Sequence, residues 1–287
     1  MKTEFNSVTL SNDLKKKIKG KVLFDEFSRG RYSTDASLYQ IKPIGVVLPK
    51  DQFDVLNIIE YSQKNSIPLL ARGGGSSQCG QTVGECIVLD YSKYQNKILE
   101  FNAKEKFVWV EPGIVLDQLN EYLKPHGLWF PVDVSTSSRA TIGGMTGNNS
   151  CGSRSLYYGN MVNNVLAVES ILDDGSIHTF ENIDKNYLSK TNDQNRKFQI
   201  IKKCIDIREQ VENEINEHWP KTQRRVGGYN IDLINPNGFN SSNILVGSEG
   251  TLSLFNKIKL KLSEIPKKKI LGVCYFEKFH EAMTLTR

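Results

Sequence analysis

The chain has 287 residues, 39% hydrophobic and 24% charged, which supports a packed core and excludes a disordered polymer. At roughly 100–200 residues per domain, that length holds one large domain or two. Lys and Arg number 37 against 32 Asp and Glu, a net charge of +5. The lysines are scattered, which reads as solubility rather than a nucleic-acid footprint. No apolar run approaches the roughly 18 residues of a membrane span. The first residues, MKTEFNSVTLSNDLKKK, lack an apolar core, so no secretory signal is expected. Five cysteines, at 79, 86, 151, 204 and 274, include no C-x-x-C pair. The odd count suits a reducing cytoplasm, with membrane contact only through a partner, and the spacing offers no clustered iron–sulfur site. Histidines 126, 178, 218 and 280 match no metal-ligand spacing.

Residues 1–41 are polar and partly helical in pattern and read as a leader packed on the main body. Val46-Val47-Leu48 is a short strand stopped by Pro49. Asp51 then caps a helix whose buried stripe is Val55, Leu56, Ile58 and Ile59. Ile67 to Ala71 and Ile87 to Asp90 are further strand-like runs, so this part is α/β in style. Phe107 to Glu111 reads as a strand, and Val115, Leu116, Leu119, Tyr122 and Leu123 mark a helix ended by Pro125 and Gly127. Asp173-Asp174-Gly175 joins two strands in a hairpin, Val165 to Leu172 and Ser176 to Phe180. A helix is expected around 197–217. Strands are expected at Ile244-Leu245-Val246 and through the alternating Ile258, Leu260 and Leu262. After Pro266 and three lysines, Ile270 to Arg287 reads as one strand and the start of a helix.

Two glycine-rich loops interrupt this pattern. In Arg72-Gly73-Gly74-Gly75-Ser76-Ser77-Gln78, three successive residues lack Cβ atoms, so backbone N–H groups can converge on an anion such as a pyrophosphate. It is neither a G-x-G-x-x-G turn nor a P-loop, because no helix opens directly after it and no Gly-Lys-Ser/Thr follows. The second runs from Pro131 to Arg154, with glycines at 143, 144, 147 and 152. Such a small, polar stretch buries too little of itself to offset its own ordering entropy, and a large ligand rich in acceptors would order it. A third patch, Gly247-Ser248-Glu249-Gly250-Thr251, is by itself only a turn signal.

The motifs RGGGSSQCG, PVDVSTSSRATIGGMTGNNSCGSRSLYYGN, RRVGGYN and VGSEGTL follow in that order. Together they resemble the vanillyl-alcohol-oxidase-type, or PCMH-type, FAD-binding oxidoreductases over about residues 40–265. The nearest likeness is to the glycolate oxidase subunit and D-lactate dehydrogenase branch, and within it to FAD-linked oxidases with a C-terminal iron–sulfur region. The resemblance implies an α+β fold of two subdomains, a small parallel α/β one and a larger, mainly antiparallel α+β one. The expected division is a leader at 1–41, subdomains at 42–95 and 96–268, and the beginning of a truncated cap domain at 269–287. It implies that Arg72, Gly73, Gly74, Gly75, Ser76 and Ser77 hold the FAD pyrophosphate. Thr141, Ile142, Gly143, Gly144, Asn149 and Gly152 would line the flavin and ribityl, with Pro131 and Asp133 in the adjoining turn and Glu249 and Gly250 on the far side. Covalent members carry a histidine where this chain has Ser76, so noncovalent FAD is expected.

The resemblance implies oxidation of a 2-hydroxy acid such as D-lactate, glycolate or D-2-hydroxyglutarate by hydride transfer to flavin N5. An electron acceptor or iron–sulfur partner would complete the cycle. Arg224, Arg225 and Tyr229 are the candidates for facing the substrate; no metal ligands are expected. Two alternatives stand beside this reading. One is an FAD-binding fragment inactive without a cap-domain polypeptide, and the other is an NADPH flavoenzyme resembling UDP-N-acetylenolpyruvylglucosamine reductase.

Overall fold

The computed structural model describes residues 7–189, 195–222 and 224–285. Residues 1–6 of the expected leader and 286–287 of the expected last piece lie outside them. The first sheet contains β1 (Lys21–Leu23), β2 (Gly45–Leu48), β3 (Leu69–Arg72) and β4 (Ile87–Asp90), in the order β1-β2-β4-β3. β2, β4 and β3 run parallel, and β1 adds an antiparallel edge. β2 and β4 are buried on both faces, as parallel strands covered on two sides must be. Val46, Leu48 and Val88 face one small cluster with Cys86, while Val47, Ile87 and Leu89 face a larger one.

Two helices cover that larger face, α1 (Ser7–Lys17) and, beyond the short α2 (Glu26–Arg31), α3 (Gln52–Asn65). Asp51 caps α3, its carboxylate accepting the Asp54 N–H at 3.1 Å, and Ser66 ends it in the left-handed region. Val55, Ile58 and Ile59 are buried as the periodicity requires, with Leu56 at the margin. The expected leader does more than lie on this core. α1 buries Leu10 and Leu14 in it, Ile18 follows, and β1 joins the sheet. The Asp54 carboxylate, 1% exposed, accepts the N–H groups of Lys19, Gly20 and Lys50, each at 2.8 Å.

The second sheet is antiparallel throughout. Its strands β5 (Ile98–Asn102), β6 (Phe107–Val110), β8 (Val165–Ile171), β9 (Ile177–Asp184), β10 (Gly238–Asn240) and β11 (Leu254–Lys261) lie in the order β10-β9-β8-β11-β6-β5. β7 (Leu128–Trp129) instead pairs with β12 (Ser263–Glu264) in a small ribbon. α4 (Leu116–Leu123) buries Leu116, Leu119 and Leu123 in the large second core, leaving Tyr122 exposed. The expected hairpin is β8–β9, turning at Gly175 with φ 79°. The helix expected at 197–217 forms as Arg196–Gln210 and Glu212–His218, interrupted at Val211. A parallel α/β sheet and a larger antiparallel sheet thus make up the expected α+β architecture.

Two strand expectations fail. Ile244-Leu245-Val246 closes a 3-10 turn, Ser241–Ile244. Asn240 caps that turn, and Ser241 bonds the backbone of Glu181 in both directions, so side chains take over the partners a ladder would supply. Residues 270–276 form no strand. They meet no sheet edge, and Ile270, Leu271 and Tyr275 are 96%, 89% and 92% exposed. A short helix, Phe279–Leu285, follows.

Candidate cofactor-binding cleft

The first glycine loop leaves β3 at Arg72 and returns through Thr82 to β4. The second leaves β7 and turns into the short helix α5 (Ile142–Gly147), capped by Thr141. Between them lies an open cleft, lined by both loops. Its glycines have a specific cause. A Cβ on Gly73 would stand 2.0 Å from the Thr141 Oγ1, and one on Gly74 would stand 2.3 Å from the Arg139 carbonyl oxygen. The first loop is therefore free of side chains there because the second loop packs directly on it. Of Gly73, Gly74 and Gly75, only Gly75, at φ 63°, needs glycine for its backbone conformation.

Arg72, Gly73, Gly74, Gly75, Ser76 and Ser77 line one wall, as expected. Thr141, Gly143 and Gly144 line the facing wall, and Glu249 and Gly250 close a third side. Residues 247–249 reach that position by backbone bonds to α5, from Gly247 N–H to Thr146 O at 3.0 Å and from Glu249 N–H to Gly147 O at 2.8 Å. The Glu249 carboxylate accepts from the Gln81 amide at 3.3 Å, which ties the third side to the first.

Five expected residues do not line the cleft. Pro131 is buried beside Phe130. Ile142 is fully buried in the second core. Asn149 is also fully buried, in the left-handed region at φ 51°, and accepts the Val162 N–H at 3.0 Å. Asp133 accepts from Ser153 Oγ and the Arg154 N–H. Gly152 lies so close behind it that a Cβ would stand 1.9 Å from the Asp133 carbonyl oxygen. These residues shape the second loop from behind. Small, polar residues in a glycine-rich run resemble ligand contacts in sequence whichever way they point.

The candidate catalytic residues lie off the cleft wall. Arg224 donates to the Gly152 carbonyl at 2.8 Å and is exposed. Arg225 is ion-paired with Asp232 at 2.6 Å and stacked over Trp219. Tyr229, half exposed, shares a 2.8 Å hydrogen bond with Thr251, next to Gly250.

The donors in the cleft suit an acceptor-rich ligand. The N–H groups of Gly74, Gly75 and Ser76 have no acceptor among the described residues. Tyr91 Oη and Ser253 Oγ are buried, have no hydrogen-bond partner among the described residues, and belong to cleft-lining residues. Burial pushes the Tyr91 phenol up, so it stays protonated as a donor. Such hydroxyls are costly to leave unmade, and a bound ligand with oxygen or ring-nitrogen acceptors would satisfy them. A flavin dinucleotide offers both kinds of acceptor. Tyr91 and Ser253 belong to no loop motif. Each sits at a strand end, at the close of β4 and the start of β11, and only the folded chain brings them to the cleft.

Comparison with known proteins agrees with that chemistry. Residues 43–181 match the FAD binding domain family. The chain is 35% identical over 266 residues to the D-2-hydroxyglutarate dehydrogenase of Haemophilus influenzae, covering 88% of this chain and 25% of that protein. It is 27% identical over 244 residues to the mitochondrial cytochrome-type D-lactate dehydrogenase of Arabidopsis thaliana, covering 84% of this chain and 34% of the relative. Among solved structures, an alkyldihydroxyacetonephosphate synthase superposes with a TM-score of 0.64 at 18% identity, over 93% of this chain and 45% of the other. The 6-hydroxy-D-nicotine oxidase of Arthrobacter nicotinovorans superposes with a TM-score of 0.58 at 14% identity, over 87% and 43%. The chain spans about a quarter of the length of the D-2-hydroxyglutarate dehydrogenases it matches. No helix among the described residues is long and apolar enough to cross a membrane. The two-sheet fold, the cleft and these likenesses together show that the chain carries a PCMH-type FAD-binding domain, homologous to those of the D-2-hydroxyglutarate and D-lactate dehydrogenases.

Proposed function

We propose that this chain is the FAD-holding part of an oxidoreductase acting on a small 2-hydroxy acid, with D-2-hydroxyglutarate as the first substrate to test and D-lactate and glycolate next. The observation that carries the reading is the cleft itself, where unpartnered amides and buried hydroxyls converge between the two glycine loops. Flavin, when bound, supplies the chemistry by accepting a hydride at N5 from the α-carbon of the acid.

The chain's own residues bind and orient. The amides of Gly74, Gly75 and Ser76 and the Ser76 hydroxyl would hold the pyrophosphate, while the Ser77 hydroxyl donates to Gln81 and braces the loop. Thr141, Gly143 and Gly144 line the flavin side, and Glu249 and Gly250 close the far side. With a serine at position 76, the cofactor is held noncovalently. Arg224, which donates to the Gly152 carbonyl, and Tyr229, bonded to Thr251 next to Gly250, are the candidates for a substrate carboxylate beyond the cleft wall. Arg225 is already committed to Asp232. In this reading residues 42–95 and 96–268 are the two FAD-binding subdomains, with the flank before residue 42 built onto the first. An electron acceptor or iron–sulfur partner would complete the cycle, in a cytoplasmic setting.

Two measurements test the proposal. Protein purified without added flavin should be yellow and release intact FAD on heating. Anaerobic mixing of the holoprotein with each acid, in the longest available form of the polypeptide, should bleach the flavin fastest with D-2-hydroxyglutarate. A folded protein that cannot be loaded with FAD defeats the cofactor reading; bleaching by NADPH and by none of the acids defeats the substrate reading.

A further inference from the structure

Among the described residues, Arg72 is the only cationic side chain lining the cleft, and in sequence it reads as a phosphate contact. Its guanidinium points the other way. One Nη donates to the carbonyls of Tyr32 at 3.3 Å and Thr82 at 3.0 Å, and the other donates to the Thr34 carbonyl at 2.8 Å. The guanidinium also stacks over the Tyr32 ring at 5.2 Å. Tyr32 is fixed in turn, its hydroxyl donating to the Asp90 carboxylate at 2.5 Å, at the end of β4. Burial and that carboxylate push the Tyr32 phenol up and keep it a donor. A second tie runs parallel, from Thr82 Oγ1 to the Asp35 carboxylate at 3.0 Å. Gly75 lies directly on the guanidinium, where a Cβ would be 2.5 Å from its Nη2.

The geometry points to Arg72 as a positioning residue that clamps residues 32–35, which precede the 43–181 family match, beneath the pyrophosphate loop. Both ends of residues 73–82 are thereby pinned, at Arg72 itself and at Thr82, with Gly75 resting on the strut between them. A planar fork reaching three carbonyls is a task for Arg, and a lysine ammonium on a flexible stem does not reproduce it. The inference rests on FAD being the ligand, but its first readout does not require FAD.

That readout is amide hydrogen exchange of residues 73–82 in the apoprotein. Arg72→Lys and Tyr32→Phe should each speed exchange there by about tenfold, with exchange in β8 unchanged. The second readout is FAD affinity. Arg72→Lys should raise the Kd about tenfold or more and Tyr32→Phe severalfold, and the double variant should be no worse than Arg72→Lys alone, because both act through one network. The ratio of the Kd at high salt to the Kd at low salt should match wild type in Arg72→Met. If Arg72 touched phosphate, removing its charge would lower that ratio. Phe198→Ala, in the helix Arg196–Gln210, is the stability control; it should lower the melting temperature without moving the Kd. If Arg72→Lys does not fold, Tyr32→Phe carries the test alone. Near-wild-type affinity in Arg72→Lys, a neutral Tyr32→Phe and a reduced salt ratio in Arg72→Met would overturn the strut and make Arg72 a phosphate ligand. A wild-type chain that fails to bind FAD defeats the proposed function, while the exchange result still decides the strut.

Discussion

Two stretches flank the cleft-bearing body, residues 7–42 before it and 266–285 after it, and both carry large apolar side chains. The first is built in. Leu10, Leu14 and Ile18 are buried, β1 pairs with β2, and Asp54, Arg72 and Asp90 hold its backbone or side chains by directed bonds. The second has none of this. Ile270, Leu271, Tyr275 and Phe279 stand in solvent, and residues 266–278 adopt no regular element. Apolar content does not separate the two stretches. The first meets an open edge of a parallel sheet and a helix face spaced to receive it, so burial and ladder bonds offset the ordering entropy. The second meets no such surface among the described residues.

Breaking the first flank should have the largest effect. Asp54→Ala removes one carboxylate that accepts three N–H groups, from Lys19, Gly20 and Lys50. Part-buried amides left without partners cost about 1–3 kcal/mol each. With partial rehydration, a net loss of about 3 kcal/mol is expected, measured by denaturant unfolding at constant m. A loss below about 1 kcal/mol would mean that the flank is held by its leucines alone.

A sharper test separates flank-to-loop contact from loop-to-loop contact. Gly74→Ala brings a Cβ to 2.3 Å from the Arg139 carbonyl oxygen, a backbone atom that cannot swing aside. The two glycine loops must part, and FAD affinity should fall about tenfold, equivalent to about 1.4 kcal/mol. Isothermal titration of the apoprotein measures this. An unchanged Kd would show that the walls of the cleft move independently of each other.

These contrasts show what a reader of the sequence can and cannot see. α3 was legible because Asp51, the stripe through Val55, Ile58 and Ile59, and the following turn all agree locally. The β8–β9 hairpin was legible from Asp173-Asp174-Gly175. The two loops stood out as candidate ligand loops through their small, polar, glycine-rich composition, although contacts with each other and with the second core also order them. Their internal division was not. Asp133, Asn149 and Gly152 share the chemistry of cleft residues but face the protein, and facing is decided by contacts remote in sequence. Tyr91 and Ser253 failed to show for the converse reason, as isolated hydroxyls beside strands whose value appears only when β4 and β11 meet at the cleft. The strand expected at 270–276 rested on side-chain pattern, but a strand also needs an edge to pair with.

The tail supplies a prediction of no effect. Removing residues 270–287 should leave the melting temperature and the FAD Kd unchanged and should raise solubility, since exposed apolar side chains promote association. Lost FAD binding on that deletion would place the tail against the cleft.

The most local probe of the two flanks uses two thiols as reporters, one for each flank. Cys86 lies under the first flank, 5% exposed, in the cluster with Val46, Leu48 and Val88 against which Leu23 and Tyr32 pack. Burial pushes its thiol up to about 12. At pH 8 the reactive thiolate is then about 10⁻⁴ of the population, and access adds a second barrier. Cys274 stands exposed in the tail. Alkylation at pH 8, followed by peptide mass analysis, should modify Cys274 at least about a hundredfold faster than Cys86. Raising the pH to 9 should not close that gap, because the Cys86 group titrates well above both values. The Asp54→Ala variant should speed Cys86 and leave Cys274 unchanged, because loosening the first flank opens its cluster while the tail has no packing to lose. Equal rates in the wild-type chain would mean that the first flank opens as readily as the tail, and the distinction between a built-in flank and an unpacked one would have to be given up.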